Sequence, residues 1–106
     1  MPKYNKLVRD RIPEIIENNG EEPIVRILED EEYRTELIKK LNEEYDEVVA
    51  ASDEEVIEEL ADMLEVMESI AELHNKTLDD IILVKENKKN NRGGFSKKLF
   101  LEGVKK

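Results

Sequence analysis

The sequence predicts an all-α protein: an antiparallel helical hairpin core, completed into a multi-helix bundle by dimerisation. Three observations carry this. Apolar residues recur at spacings of three and four over two long stretches, roughly 31–51 and 53–74. Aromatics make up 5% of the 106 residues, with no Trp, four Gly and three Pro, too little β-forming and turn material for an all-β sandwich. The second long stretch is apolar on most of its circumference, which describes a buried helix that one short chain has few elements to cover. Residues 1–106 read as one domain, because two separate cores do not fit in this length.

The elements follow in chain order. Asp10 precedes a short helical pattern from Arg11 to about Asn19. Pro13 falls in its first turn, where a missing N–H costs little, and Gly20 stands as its stop. Residues 23–28 are short and β-branched and read as an extended connector. Asp30 is placed to cap a long helix from Glu31 to about Ala51, apolar at Tyr33, Leu37, Ile38, Leu41, Tyr45, Val48 and Val49. Ser52 with Glu55 has the S-x-x-E pattern of a capping box and opens a second long helix to about His74. Thr77 with Asp80 resembles a third such start. The helix it opens frays towards Asn90, Asn91 and Gly93–Gly94. The basic end, Phe95 to Lys106, carries an apolar knot at Leu99, Phe100 and Leu101, and Phe95 and Phe100 are suited to docking the tail on the core or on a partner subunit. His74, the single histidine, reads as a helix-end residue that complements the dipole.

Charge is unevenly spread. The net charge is −10, yet residues 1–84 carry 9 basic and 25 acidic side chains, while residues 85–106 carry 8 basic and 2 acidic. Lys3, Lys6, Arg9 and Arg11 form a second basic cluster at the start. One reading is a solvated surface with a basic tail. The other is a middle that holds metal ions between ends that hold a polyanion. The overall sign argues against a nucleic-acid polymer as partner. Absent cysteine excludes a disulfide scaffold and a thiolate zinc site. No apolar run approaches the roughly 18 residues of a membrane span. The first 30 residues hold no signal-peptide core, so a cytoplasmic protein off the membrane is expected.

Four acids sit where apolar residues belong. Glu44 lies about 20° around the first long helix from Leu37, between Leu41 and Val48, with Glu47 one turn on. Glu59 points nearly along Ile70 and Asp62 nearly along Leu73, on a helix otherwise apolar there. The short link at Ser52–Asp53 folds the two helices back antiparallel. Glu47 and Glu59 then mirror each other about residue 53, and so do Glu44 and Asp62. The two pairs stand about 9 and 13.5 Å from the turn at about 1.5 Å per residue. With axes about 8–10 Å apart, all four carboxylates can converge. Alone they would repel, by about 4 kcal/mol for two charges about 4 Å apart at an effective dielectric of 20. Protonation or a cation must relieve this. An all-oxygen donor set suits Mg²⁺ or Mn²⁺.

The run Glu43-Glu44-Tyr45-Asp46-Glu47, followed by Glu58-Glu59-Leu60-Ala61-Asp62, resembles the E-E-x-x-E … E-x-x-D signature of the all-α NTP pyrophosphatases. That superfamily includes MazG, dimeric dUTPases, dCTP pyrophosphatases and phosphoribosyl-ATP pyrophosphohydrolase. The segment from Tyr4 to Glu14 and the segment Arg92-Gly93-Gly94-Phe95 with Leu99-Phe100-Leu101 are similar to its small single-domain MazG-like, or phosphoribosyl-ATP pyrophosphohydrolase-like, branch. The resemblance implies a helical core that dimerises, or forms a higher even oligomer. It also implies Mg²⁺ dependence and hydrolysis of a nucleotide between its α and β phosphates. It places metal ligands at Glu44, Glu47, Glu59 and Asp62.

On that footing, Glu43 and Glu47 are the first candidates to take a proton from the attacking water. Arg92 is the leading candidate for the β and γ phosphates, because its planar fork suits them, followed by Lys88, Lys6 and Arg9. Removal of unwanted nucleotides is the expected role. The alternatives are the phosphoribosyl-ATP step of histidine biosynthesis, a nucleotide binder without turnover, and a non-catalytic acidic helical interaction module.

Overall fold

The computed structural model describes residues 4–106. Four helices follow in order: α1 (Ile12–Asn18), α2 (Asp30–Ala50), α3 (Val56–Leu73) and α4 (Leu78–Arg92). Among the described residues there is no strand. The protein is all-α.

The helix ends show which local signals act. Arg11, not Asp10, occupies the position before α1, and no side chain caps it. The other end of α1 stops as expected. Gly20 takes φ +87°, its N–H donates to the Glu17 carbonyl, and the Glu21 N–H donates to the Ile16 carbonyl. Helix α2 starts one residue early, at Asp30, with Glu29 at the cap position and no side-chain cap. Three acids in its first turn, Asp30, Glu31 and Glu32, face the positive end of the helix dipole instead. Arg26 of the connector makes a forked ion pair with Glu32, which holds that carboxyl below its ordinary range.

Ser52 and Glu55 form only half of the expected capping box. The Glu55 carboxylate accepts from the Ser52 N–H and, at 2.8 Å, from its hydroxyl. The Glu55 and Val56 N–H groups both donate to the Ser52 carbonyl rather than to its side chain. Residues 53–55 are therefore a turn, and α3 begins at Val56, later than the capping pattern places it. By contrast, Thr77 and Asp80 close a full reciprocal box. The Asp80 N–H donates to the Thr77 hydroxyl at 3.2 Å, and the Thr77 N–H donates to the Asp80 carboxylate at 2.8 Å. Helix α4 does not fray at Asn90–Asn91 but runs to Arg92, where Gly93 at φ +84° ends it.

Helices α2 and α3 pack along each other as an antiparallel hairpin, which their short link requires. Helix α4 meets α3 more briefly, near Ala71, His74, Ile81 and Val84, and α1 packs on none of the other helices. Among the described residues, only Leu37 on α2 and Val66 on α3 are buried, at 2% and 7% exposure. The second long helix, expected to be buried only with a second copy to cover it, is not covered within one chain. Ile57, Leu60 and Leu64 of α3 stay open to solvent. Nor does the tail dock on the core: Phe95, Leu99, Phe100 and Leu101 are all exposed. The chain is elongated, 64 × 34 × 24 Å, with a radius of gyration of 18.3 Å. Among the described residues, no helix is long and apolar enough to cross a membrane.

Candidate metal centre

The hairpin register decides what meets what. Glu44 lies in the third quarter of α2, and Glu59 and Asp62 lie one turn apart near the start of α3. Antiparallel packing brings these stretches level. One carboxylate oxygen from each of Glu44, Glu59 and Asp62 lies within 4.8 Å of the other two. All three residues are partly buried, with side-chain exposures of 12% for Glu44 and 44% for Asp62.

Electrostatics register the crowding. Glu59 holds its proton more tightly than an ordinary glutamate, first because it is desolvated and then because Glu47, Asp62, Glu44 and Glu55 repel its charge. Two cations partly offset this. Arg9, from the irregular segment before α1, donates from Nη2 to Asp62 Oδ1 at 2.7 Å. The Lys40 ammonium, on the same helix as Glu44, stands 3.7 Å from its Oε1 and 3.4 Å from Glu43.

The predicted site residues therefore separate into groups. Glu44, Glu59 and Asp62 gather. Glu47 is exposed and stands outside the gathered oxygens, yet close enough to act on Glu59. Glu43 turns outward to Lys40. Arg9 reaches the cluster. The Lys6 ammonium lies 5.7 Å above the Tyr4 ring. Lys88 and Arg92 are exposed on the last turns of α4, where Arg92 lines a basic hollow with Gly93, Gly94, Lys97 and Lys98. Lys40 was not predicted. Its signal was the i,i+4 spacing to Glu44, which exposed helix surfaces repeat so often that it says little.

The gathered acids fit a small divalent ion. Mg²⁺ binds oxygen at about 2.0–2.1 Å, so two of its ligands stand at most about 4.2 Å apart. Only one pair of three octahedral ligands can stand opposed at that distance, and the other pairs stand about 3.0 Å apart, so oxygens up to 4.8 Å apart must close by as much as about 1.8 Å. Three hard oxygen donors without sulfur or imidazole suit Mg²⁺ or Mn²⁺ among the common ions.

Fold and site together describe a small helical protein with a carboxylate cluster inside a hairpin. No family model matches the chain, and no solved structure matches it. A curated protein of Mycolicibacterium smegmatis, described as an uncharacterized protein, is 52% identical over 46 residues, which is 43% of this chain and 47% of that protein. The chain spans about half the length of that curated relative.

Proposed function

We propose that the protein is a Mg²⁺-dependent nucleotide pyrophosphohydrolase of the all-α NTP pyrophosphatase type, converting a nucleoside triphosphate and water to the monophosphate and pyrophosphate. The observation that carries this reading is the convergence of Glu44, Glu59 and Asp62 from two facing helices. A bound divalent ion would supply Lewis acidity at a phosphoryl oxygen and lower the pKa of water. Glu44, Glu59 and Asp62 would hold it. Glu47, exposed beside Glu59, is placed to take the proton of a water attacking the α-phosphorus while the bond to the αβ-bridging oxygen breaks. Glu43, engaged with Lys40, is the weaker candidate for that role. Arg9, at the cluster, is the best placed of the four basic candidates to meet a phosphate there. Lys6, Lys88 and Arg92 reach one only if the ends of the chain close over the substrate.

The working unit in this reading is a homodimer. A compact chain of 106 residues has a radius of gyration of about 13 Å, well under the 18.3 Å found. The accessible surface is 9978 Å², against about 6,100 Å² for a compact 12.4 kDa monomer. A second copy on α3 would cover part of that excess.

The decisive assay incubates the protein with a panel of nucleotides and Mg²⁺ and looks for monophosphate and pyrophosphate. Glu59→Ala and Asp62→Ala should abolish both products. Undiminished turnover in either variant refutes the site.

A further inference from the structure

The Arg9–Asp62 contact joins two parts of the chain that nothing else of its kind joins. It spans 53 residues, whereas every other side-chain hydrogen bond among the described residues spans six or fewer. It ties the irregular segment before α1 to α3. Its acceptor belongs to the same carboxylate that offers an oxygen to the gathered cluster. A guanidinium and a metal ion thus compete for one side chain. Both partners are about half exposed, 58% for Arg9 and 44% for Asp62, so the pair is weak and readily exchanged. A divalent ion, by contrast, engages three carboxylates at once and relieves their mutual repulsion.

We propose that Arg9 is the resident counter-cation of the acid cluster and is exchanged for the divalent ion, so that cation binding unlatches segment 4–11 from α3. The inference rests on the metal reading of the cluster and adds a device to it: until the ion binds, Arg9 latches residues 4–11 to the cluster. The freed guanidinium is then available to an anionic ligand of that ion.

Calorimetric titration with Mn²⁺ tests the competition. Arg9→Gln should bind Mn²⁺ about two- to fivefold more tightly than the wild type, the worth of one exposed ion pair. Arg11→Gln controls for the general loss of positive charge, because Arg11 pairs with Glu14 instead, and should leave the affinity unchanged. Arg9→Lys, which keeps the charge and loses the fork, should fall between. A second readout follows the arm itself. The chain has no cysteine, so Val8→Cys gives a single nitroxide position. Its spectrum should be restricted without metal, sharpen on adding Mg²⁺, and be sharp from the start in Arg9→Gln. Equal or weaker Mn²⁺ binding by Arg9→Gln, equal tightening by Arg11→Gln, or a label indifferent to Mg²⁺ overturns the latch while leaving the cation site standing. Failure of the wild type to bind Mn²⁺ at all overturns both.

Discussion

Glu47 on α2 and Glu59 on α3 oppose each other across the hairpin, and their repulsion adds to desolvation in holding the Glu59 proton above its ordinary range. A carboxyl whose pKa is raised by folding stabilises the fold when protonated. That contribution is complete below the unfolded value of 4.5 and is lost as pH rises through the raised one. In chelator, therefore, the melting temperature should climb as pH falls from neutrality towards that value. Glu59→Gln, which carries no charge to repel, should melt higher than the wild type at pH 7 and show a flatter profile over the same window. Circular-dichroism melts along a pH series check this. A wild-type midpoint that drops steadily from neutrality downwards would contradict it.

Cation binding should reverse the ordering of those two proteins. A ligand of the native state at 100 times its dissociation constant adds about 2.7 kcal/mol. For a domain near 100 residues each kcal/mol is worth roughly 4–8 °C in the melting midpoint. Wild-type protein should gain of the order of 10 °C in saturating Mg²⁺ by that arithmetic. Glu44→Ala, Glu59→Gln and Asp62→Asn should gain nothing, and Glu43→Ala should gain as much as the wild type, because Glu43 faces Lys40. Differential scanning calorimetry with and without Mg²⁺ separates these cases. It also distinguishes the hydrolase from a purely adhesive acidic module, for which the metal would make no difference.

The parts legible in the sequence were those written in local chemistry. Thr77 and Asp80 predicted a cap and form one. Gly20 predicted a stop and provides one. The mirror relation of Glu44 and Asp62 about residue 53 depends only on helical rise and a short link, and the two meet. What misled was competition between equally local choices. At Ser52 the Glu55 N–H donates to the Ser52 carbonyl rather than to its hydroxyl, which turns a capping box into a turn and delays α3. Asp10 and Asp30 had the right chemistry for caps but each sits one residue from the cap position, which Arg11 and Glu29 occupy. Glu47 shares the mirror geometry yet stays exposed, because register sets its level along the helix and not the direction of its carboxylate. The Arg9–Asp62 pair was out of reach, since no periodicity links an irregular arm to a helix 53 residues away.

The reciprocal box at Thr77 should be worth about 1 kcal/mol, within the 0.5–2 kcal/mol range for replacing a capping Thr by Ala. Thr77→Ala should lower stability in urea by that amount without changing the denaturant slope. Hydrogen bonds from the Thr77 backbone and hydroxyl hold Asp80 below its ordinary value of 3.8. A depressed carboxylate stabilises the fold above its unfolded pKa, and the contribution is lost as pH falls through the lower, folded one. The penalty of Thr77→Ala should therefore be full at neutral pH and shrink below about pH 4, as both proteins lose the charged cap. An equal penalty at pH 7 and pH 3 would mean that the Asp80 charge plays no part in the cap.

The uncovered face of α3 yields the last prediction. Ile57, Leu60 and Leu64 occur at spacings of three and four, so they form one stripe, and all three are exposed in the single chain. With Leu37 and Val66 the only buried apolar residues among those described, a lone chain has little to offset the entropy of ordering itself. A dimer sealing that stripe supplies the missing core, and folding and association should then be one transition. The melting midpoint should rise with protein concentration, as it does for obligate dimers. Light scattering should report twice the chain mass of 12.4 kDa, or a larger even multiple. Fully burying a leucine is worth about 1.5–3 kcal/mol, so Leu60→Asp should weaken association by more than about tenfold. Because the stripe and the acid cluster share α3, the same variant should also loosen Mg²⁺ binding at protein concentrations where the dimer falls apart, and recover it where the dimer re-forms. A monomer that melts at a concentration-independent temperature would show that α3 stands in water as it is.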